Sequence, residues 1–220
     1  MNLRSLEELQ DVLDRDLSWR KQELTQIKEL IDKELYTTTL LRAGHAILCA
    51  HFEGFVKNAS NYYVEFVSAK KFKFKELGNN FLAIKIKNVF KQCNQSEKIS
   101  VYRNLIDQIE NENEMNFNFQ YNPNNPIIHT ESNPSSEILE EILKSIGIQS
   151  DIFENHKTYI DYRLLSTRHK IVHGEREKLD RKTFIDTYSI IWDLLEKFKL
   201  LIIESAEKKD YKKNKEQVNV

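Results

Sequence analysis

Between Ser166 and Glu175 the chain reads Ser-Thr-Arg-His-Lys-Ile-Val-His-Gly-Glu, gathering an arginine and two histidines into six residues before a glycine. Arginine is a permanent, forked cation that matches the oxygens of a phosphate. Histidine is the side chain whose ordinary pKa lets it give and take protons near neutrality. Arg168, His169 and His173 could therefore hold a phosphodiester and move its protons without a metal, which is the chemistry of RNA cleavage. Other readings share these residues. Arg163 and His169 form a competing Arg-x5-His pair. Arginine and histidine near a helix end also commonly bond the last carbonyls and oppose the helix dipole. His169 and His173, four apart, share a helix face and could ligate zinc. Lys170, however, stands where the glutamate of His-Glu-x-x-His would be, and its charge repels a cation. We expect neither a metal nor another cofactor.

The spacing also limits how the residues could cooperate. Five residues of an ideal helix turn through about 500°, leaving Arg168 and His173 roughly 140° apart. A continuous helix would not aim both at one point. Gly174 could relieve this by unwinding the chain directly after His173, and a twofold dimer could do so by bringing two such segments together.

The elements that must position this segment read as helices. The 220 residues include only 5 glycines and 3 prolines, and 30% are Asp, Glu, Lys or Arg, a composition that favours helix. Leu6, Leu9, Val12, Leu13, Leu17, Leu24, Ile27, Leu30 and Ile31 recur at three- and four-residue steps, predicting an amphipathic helix or hairpin over 1–34 that packs on the remainder. Thr37 to Thr39 offer caps for a helix over about 39–69, apolar enough around its girth to be central. Further helices are expected over 80–91, 97–109, 135–146, 151–166 and 183–208. Gly147 suits the end of the third of these. The Asn-rich stretch 111–136 changes character and reads as a long loop or short β-hairpin inserted in the bundle. We expect one main domain over 35–208 and a lysine-rich, flexible tail over 209–220.

Two more segments join the first in a resemblance. Arg168-His169-x3-His173 resembles the hallmark of the HEPN superfamily, an arginine followed by a polar residue and, a few positions on, a histidine. Phe52-Glu53-Gly54-Phe55, within Leu41–Lys57, is similar to an aromatic-Glu-Gly-aromatic core in a prokaryotic branch of HEPN-like nucleases. Thr130-Glu131-Ser132-Asn133-Pro134-Ser135 is similar to a turn of that branch. The resemblance spans roughly 35–205. It implies an all-α, HEPN-type helical bundle with extra helices around the 111–136 insert. It further implies a metal-independent endoribonuclease in a toxin–antitoxin or antiviral setting, with RNA as substrate, a homodimer sharing a composite site, and a possible cognate antitoxin. In that reading His173 is the general base or acid, Arg168 neutralises phosphoryl charge, and His169 orients the phosphate or the partner histidine. The products carry 2′,3′-cyclic phosphate and 5′-hydroxyl ends. The alternative is a non-catalytic HEPN module that binds a nucleotide, RNA or protein. Some HEPN toxins are silenced by nucleotidylation of a tyrosine near the motif, and Tyr159, Tyr162 and Tyr188 are the candidates.

Glu53 is a carboxylate on the most apolar helix, where an unpaired burial would be costly. We expect it to support the site, one possibility being an ion pair with Arg168. His45 and His51 read as hydrogen-bonded helix residues, and His129 as a loop residue. Lys70, Lys71, Lys73 and Lys75 interleave with Phe72 and Phe74, and Lys85, Lys87 and Lys91 follow. Lysines among stacking aromatics hold single strands, so Lys70, Lys71 and Lys73, with Lys170, are candidates for RNA contact. The ordinary explanation is that the phenylalanines pack inward. A net charge of −1 gives no global attraction for nucleic acid. Cys49 and Cys93 form no metal- or disulfide-type motif. The first residues lack an apolar signal core, and Ala46–Phe55 is too short to cross a bilayer. We expect a cytoplasmic protein with no membrane partner.

Overall fold

The computed structural model describes residues 3–33, 37–93, 98–131 and 133–213. Among these residues seven α-helices form: α1 (Leu6–Asp32), α2 (Thr38–Ala69), α3 (Asn79–Cys93), α4 (Ile99–Asn113), α5 (Ser136–Ile146), α6 (Thr167–Val172) and α7 (Arg181–Lys208). A π-helical segment, Tyr159–Ser166, runs directly into α6. No strand forms among the described residues; two isolated bridges join Lys73 to Asn116 and Leu77 to Lys212. The fold is an all-α bundle.

Local chemistry explains most boundaries. Ser5 and Glu8 make a reciprocal capping box, with Ser5 Oγ accepting from Glu8 N at 3.0 Å and the Glu8 carboxylate accepting from Ser5 N at 2.9 Å. No glycine or proline interrupts the next 27 residues, so α1 is one helix and not a hairpin. Thr37 Oγ1 caps α2 by accepting from Leu40 N at 3.2 Å. Ser135 caps α5, which ends at Gly147 in the left-handed conformation at φ +76°. Asp180 caps α7 by accepting from Thr183 N at 2.7 Å.

The 32-residue α2 is the axis of the bundle, about 48 Å long at 1.5 Å per residue. Helices α1, α5, α6 and α7 all pack on it, so it buries residues around most of its girth. The densest part of the core is aromatic. Phe52 of α2 meets Phe153 edge-on at 6.3 Å between ring centroids, and Phe153 meets Phe198 of α7 at 5.6 Å. Each ring is fully buried and contributes about 1.5–3 kcal/mol of transfer free energy.

The insert is a loop rather than a hairpin, and α2 dictates its course. Between Phe119 and Thr130 it runs antiparallel to α2. Phe119 N donates to Ser68 Oγ at 2.7 Å, and Tyr121 hydroxyl to Asn58 Oδ1 at 2.8 Å. The buried amide of Asn61 then serves two loop residues. Its Oδ1 accepts from Ile127 N at 3.0 Å and Ile128 N at 3.2 Å, while its Nδ2 donates to Ile128 O at 3.1 Å. One side chain thereby satisfies backbone groups that a buried loop would otherwise leave unpaired.

Residues 209–213 depart from the expected flexible tail. Tyr211 is buried against Phe66 and Phe72, its carbonyl accepts from Gly78 N at 2.9 Å, and Lys213 N donates to Glu76 O at 3.0 Å. A large aromatic side chain anchors the segment despite the lysines around it. The rest of that stretch (214–220), Ser132, and the side chains of Lys91 and Cys93 lie outside the described residues. No helix among the described residues is long and apolar enough to cross a membrane.

Candidate functional site

The motif occupies the end of the helix made by the π-helical segment and α6. That end is a Schellman turn. Glu175 N donates to Lys170 O at 2.9 Å, Gly174 N donates to Ile171 O at 3.2 Å, and Gly174 sits at φ +78°. A Cβ at Gly174 would meet nothing within 4 Å, so its left-handed backbone is what requires glycine. The unwinding foreseen from the sequence occurs where it was expected, directly after His173. Helix α6 stays regular through Val172.

As a result, the two histidines come together and the arginine does not join them. His169 and His173 lie one turn apart with ring centroids 4.2 Å from each other, both exposed. Arg168 is half-buried against α2, close enough to Cys49 to act on its thiol electrostatically. Burial pushes that thiol up to about 12, the Arg168 charge opposes the shift, and the Glu53 charge adds to it. Cys49 is consequently an inert thiol. Arg168 of α6 and Glu53 of α2 both lie near Cys49, without the ion pair envisaged from the sequence. The Glu53 carboxylate instead accepts a 2.6 Å hydrogen bond from Thr130 Oγ1, and no ion pair with Arg168 forms among the described residues. Thr130 belongs to the turn that resembled the HEPN branch, so two of the three resemblance segments meet here. His129, next to it, is exposed.

Gly54, beside Glu53, has a separate reason to be glycine. A Cβ there would fall 2.6 Å from Nη1 of Arg20. Arg20 is buried under α2, where its Nη2 meets Asp16 Oδ1 at 3.1 Å and its Nη1 donates to His51 O at 3.4 Å. His51 Nε2 in turn lies 2.6 Å from Glu23 Oε2, a hydrogen-bonded histidine as the sequence suggested.

The lysine candidates divide by location. Lys70, Lys71 and Lys73 lie at the far end of α2, roughly 30 Å from Cys49 by helix rise. Lys73 and Lys75 both pair with Glu114, at 3.1 and 2.7 Å. Phe74 packs inward against Phe117, as the ordinary explanation held. Lys170 is near the motif but pairs with Glu177 at 3.1 Å. Of the three tyrosines, Tyr162 is 72% exposed while Tyr188 is 7% exposed and stacked on Trp192. Among the described residues no three His, Cys, Asp or Glu side chains gather to hold a metal.

The π-helical segment is braced from two sides. Asp161 accepts from Ser136 N at 2.8 Å and from Ser136 Oγ at 2.7 Å, tying it to the start of α5. His45 of α2 is fully buried and its Nε2 donates to Leu164 O at 3.0 Å, while its Nδ1 has no hydrogen-bond partner among the described residues. Widened turns of this kind are rare and concentrate near functional sites. Burial holds His45 below the ordinary histidine pKa, against smaller opposing effects from the carbonyls of Leu164 and Arg163. The unfolded chain binds the proton more readily, so stability is flat above about pH 6.5 and falls as pH drops below it. Urea unfolding at pH 7.5 and 5.5 should show lower stability at pH 5.5, by up to about 1.4 kcal/mol per pH unit for this group. His45→Gln, which cannot titrate, should have a shallower decline.

An all-α bundle presenting Arg-His-x3-His at the glycine-ended terminus of a braced helix defines a HEPN-type domain. The chain matches the family model described as HEPN_MAE_28990-like HEPN over residues 9–211, and it belongs to that family. The match extends from within α1 to Tyr211. HEPN is a superfamily of nuclease- and RNA-related domains whose members often bind RNA and form dimers. No curated protein and no solved structure matches the chain.

Proposed function

We propose that the chain is a metal-independent endoribonuclease acting in the cytoplasm as a homodimer, in a toxin–antitoxin or antiviral setting. The observation that carries this reading is the pair of exposed imidazoles of His169 and His173, their ring centroids 4.2 Å apart and their planes tilted by 57° at the freed end of α6. A general base and a general acid are what transfer within RNA requires. His173 takes the proton from a ribose 2′-hydroxyl as its oxygen attacks the adjacent phosphorus. A second imidazole protonates the departing 5′-oxygen, leaving a 2′,3′-cyclic phosphate and a 5′-hydroxyl. Arg168 offsets the charge that builds on the phosphoryl oxygens, and His169 orients the phosphate. Arg168 and His173 leave α6 about 140° apart, so the reading needs a second copy across a twofold axis to complete the site. Tyr162 and Val172, 72% and 57% exposed on the motif helix, offer apolar surface for that contact. Glu53 supports the site through Thr130 and its charge beside Arg168.

The same divergence of Arg168 from His173 favours the second reading, a binding module without turnover. The test is cleavage of an RNA in EDTA beside the same RNA carrying one 2′-deoxy residue at the position cut. The endoribonuclease leaves that bond intact and cuts the others. Equal cutting of both would exclude 2′-hydroxyl attack, and cutting of neither would favour the binding module.

A further inference from the structure

A cleft of about 600 Å³ opens directly beyond the motif, between the start of α2 and the Gly174–Asp180 loop. Its wall is stiff. Arg42 of α2 reaches across to donate through Nη1 to Glu175 O at 2.7 Å and Glu177 O at 3.2 Å. Between those carbonyls the chain turns tightly, with Glu177 N donating to Glu175 O at 2.9 Å. That i→i+2 bond is a γ-turn with Arg176 at its apex. Leu179, 7% exposed, anchors the far side of the loop in the core. The loop therefore holds its side chains in place with no secondary structure of its own.

The charges along this wall do not cancel. Glu177 is taken by Lys170 at 3.1 Å. Asp180 is turned to cap α7, and the backbone hydrogen bond from Thr183 holds its carboxyl below the usual carboxylate range. Arg42 is bonded to neutral carbonyls, so its charge is undiminished. Arg176 and Lys178 are exposed and make no ion pair among the described residues. Glu175 is the remaining carboxylate of the lining. Three cations and three carboxylates thus line a cleft that begins at the residue after His173, and Lys170, pairing with Glu177 from outside the lining, leaves one positive charge in excess there.

We propose that this cleft is a phosphate-binding subsite for the single-stranded RNA flanking the cleaved bond, with Arg176 and Lys178 as the contacting side chains and Arg42 fixing the loop that carries them. The assignment rests on the motif being an RNA-cutting site, and it moves RNA contact from Lys70, Lys71 and Lys73 to the near end of α2. Each phosphate neutralised by a cation releases counterions, so affinity for a single strand falls with salt at a slope of about 0.7 per contact.

The test measures binding apart from cleavage. A short fluorescein-labelled single-stranded RNA is titrated by anisotropy into the His173→Ala protein, which leaves it intact, across a range of KCl. The same protein carrying Arg176→Ala with Lys178→Ala should bind about tenfold or more weakly near 0.1 M salt, with a log–log slope shallower by about 1.4. Lys70→Ala with Lys71→Ala in the same background should change neither quantity. Glutamine at 176 and 178 should repeat the alanine result, with unchanged melting temperature throughout. Unchanged affinity and slope in the 176/178 variant would overturn the subsite, as would transfer of the effect to the 70/71 variant. No RNA binding at all by the His173→Ala protein would overturn it too. Binding that depends on 176 and 178, with wild-type protein that never cuts, would support the subsite and sink the cleavage reading alone.

Discussion

Alanine at His173 is expected to lower metal-free RNA cleavage by about 10²–10⁴-fold, the contribution of a positioned acid or base, with little effect on stability. The ring is exposed and meets the His169 ring at a tilt of 57°. The backbone bond from His173 N to His169 O at 3.0 Å survives the change. Alanine at Arg168 is expected to cost about 10²–10³-fold through lost charge stabilisation. Arg168→Lys should recover little, because an ammonium cannot reproduce the planar fork. Initial rates in EDTA, measured beside thermal melts, separate these losses from unfolding. Retained cleavage in either folded alanine variant would remove that residue from the mechanism.

The largest effect on stability is expected at Arg20. Arg20 is 5% exposed, and its guanidinium faces Asp16 at 3.1 and 3.4 Å and fills the space that Gly54 leaves. Arg20→Leu would strand the Asp16 carboxylate, itself 8% exposed, without its countercharge. Hydrogen bonds from Trp19 Nε1 at 3.0 Å and Asn58 Nδ2 at 3.2 Å remain but carry no charge. Removing one partner of a buried pair costs about 3–5 kcal/mol. For a chain of this size that is a fall in melting temperature of roughly 6–20 °C. Adding Asp16→Asn should return much of the loss, since the stranded charge causes most of it. A double variant no more stable than Arg20→Leu alone would show that packing, not charge, sets the cost.

Much of the fold was legible because it depends on local chemistry. Thr37, Ser135 and Asp180 cap helices by bonding within three residues, and Gly147 and Gly174 end them by adopting a conformation other residues resist. The sequence therefore foretold five helices to within a few residues. It was silent where distant residues decide the outcome. The π-helical widening at Tyr159–Ser166 is held by His45, 119 residues from the carbonyl it bonds. The insert is a loop because one buried amide, Asn61, supplies partners that a second strand would have supplied. Tyr211 turned an expected tail into part of the core.

The candidate site shows the same division. The histidine pair followed from a four-residue spacing that puts both on one face. Glu53 was singled out correctly as a carboxylate needing a partner, but Thr130 lies 77 residues away and no spacing links them. Arg42, Arg176 and Lys178 carried no signal in the sequence, where each was one charge among many. Arg42 gains significance only because the loop after the motif folds back over the start of α2.

The measurement that tests the central claim most directly is product analysis of mixed RNA incubated in EDTA with wild-type, Arg168→Ala and His173→Ala proteins. The account predicts 2′,3′-cyclic phosphate and 5′-hydroxyl ends from the wild type and intact RNA from both folded variants. Cutting that persists in the variants, or intact RNA throughout, would contradict it.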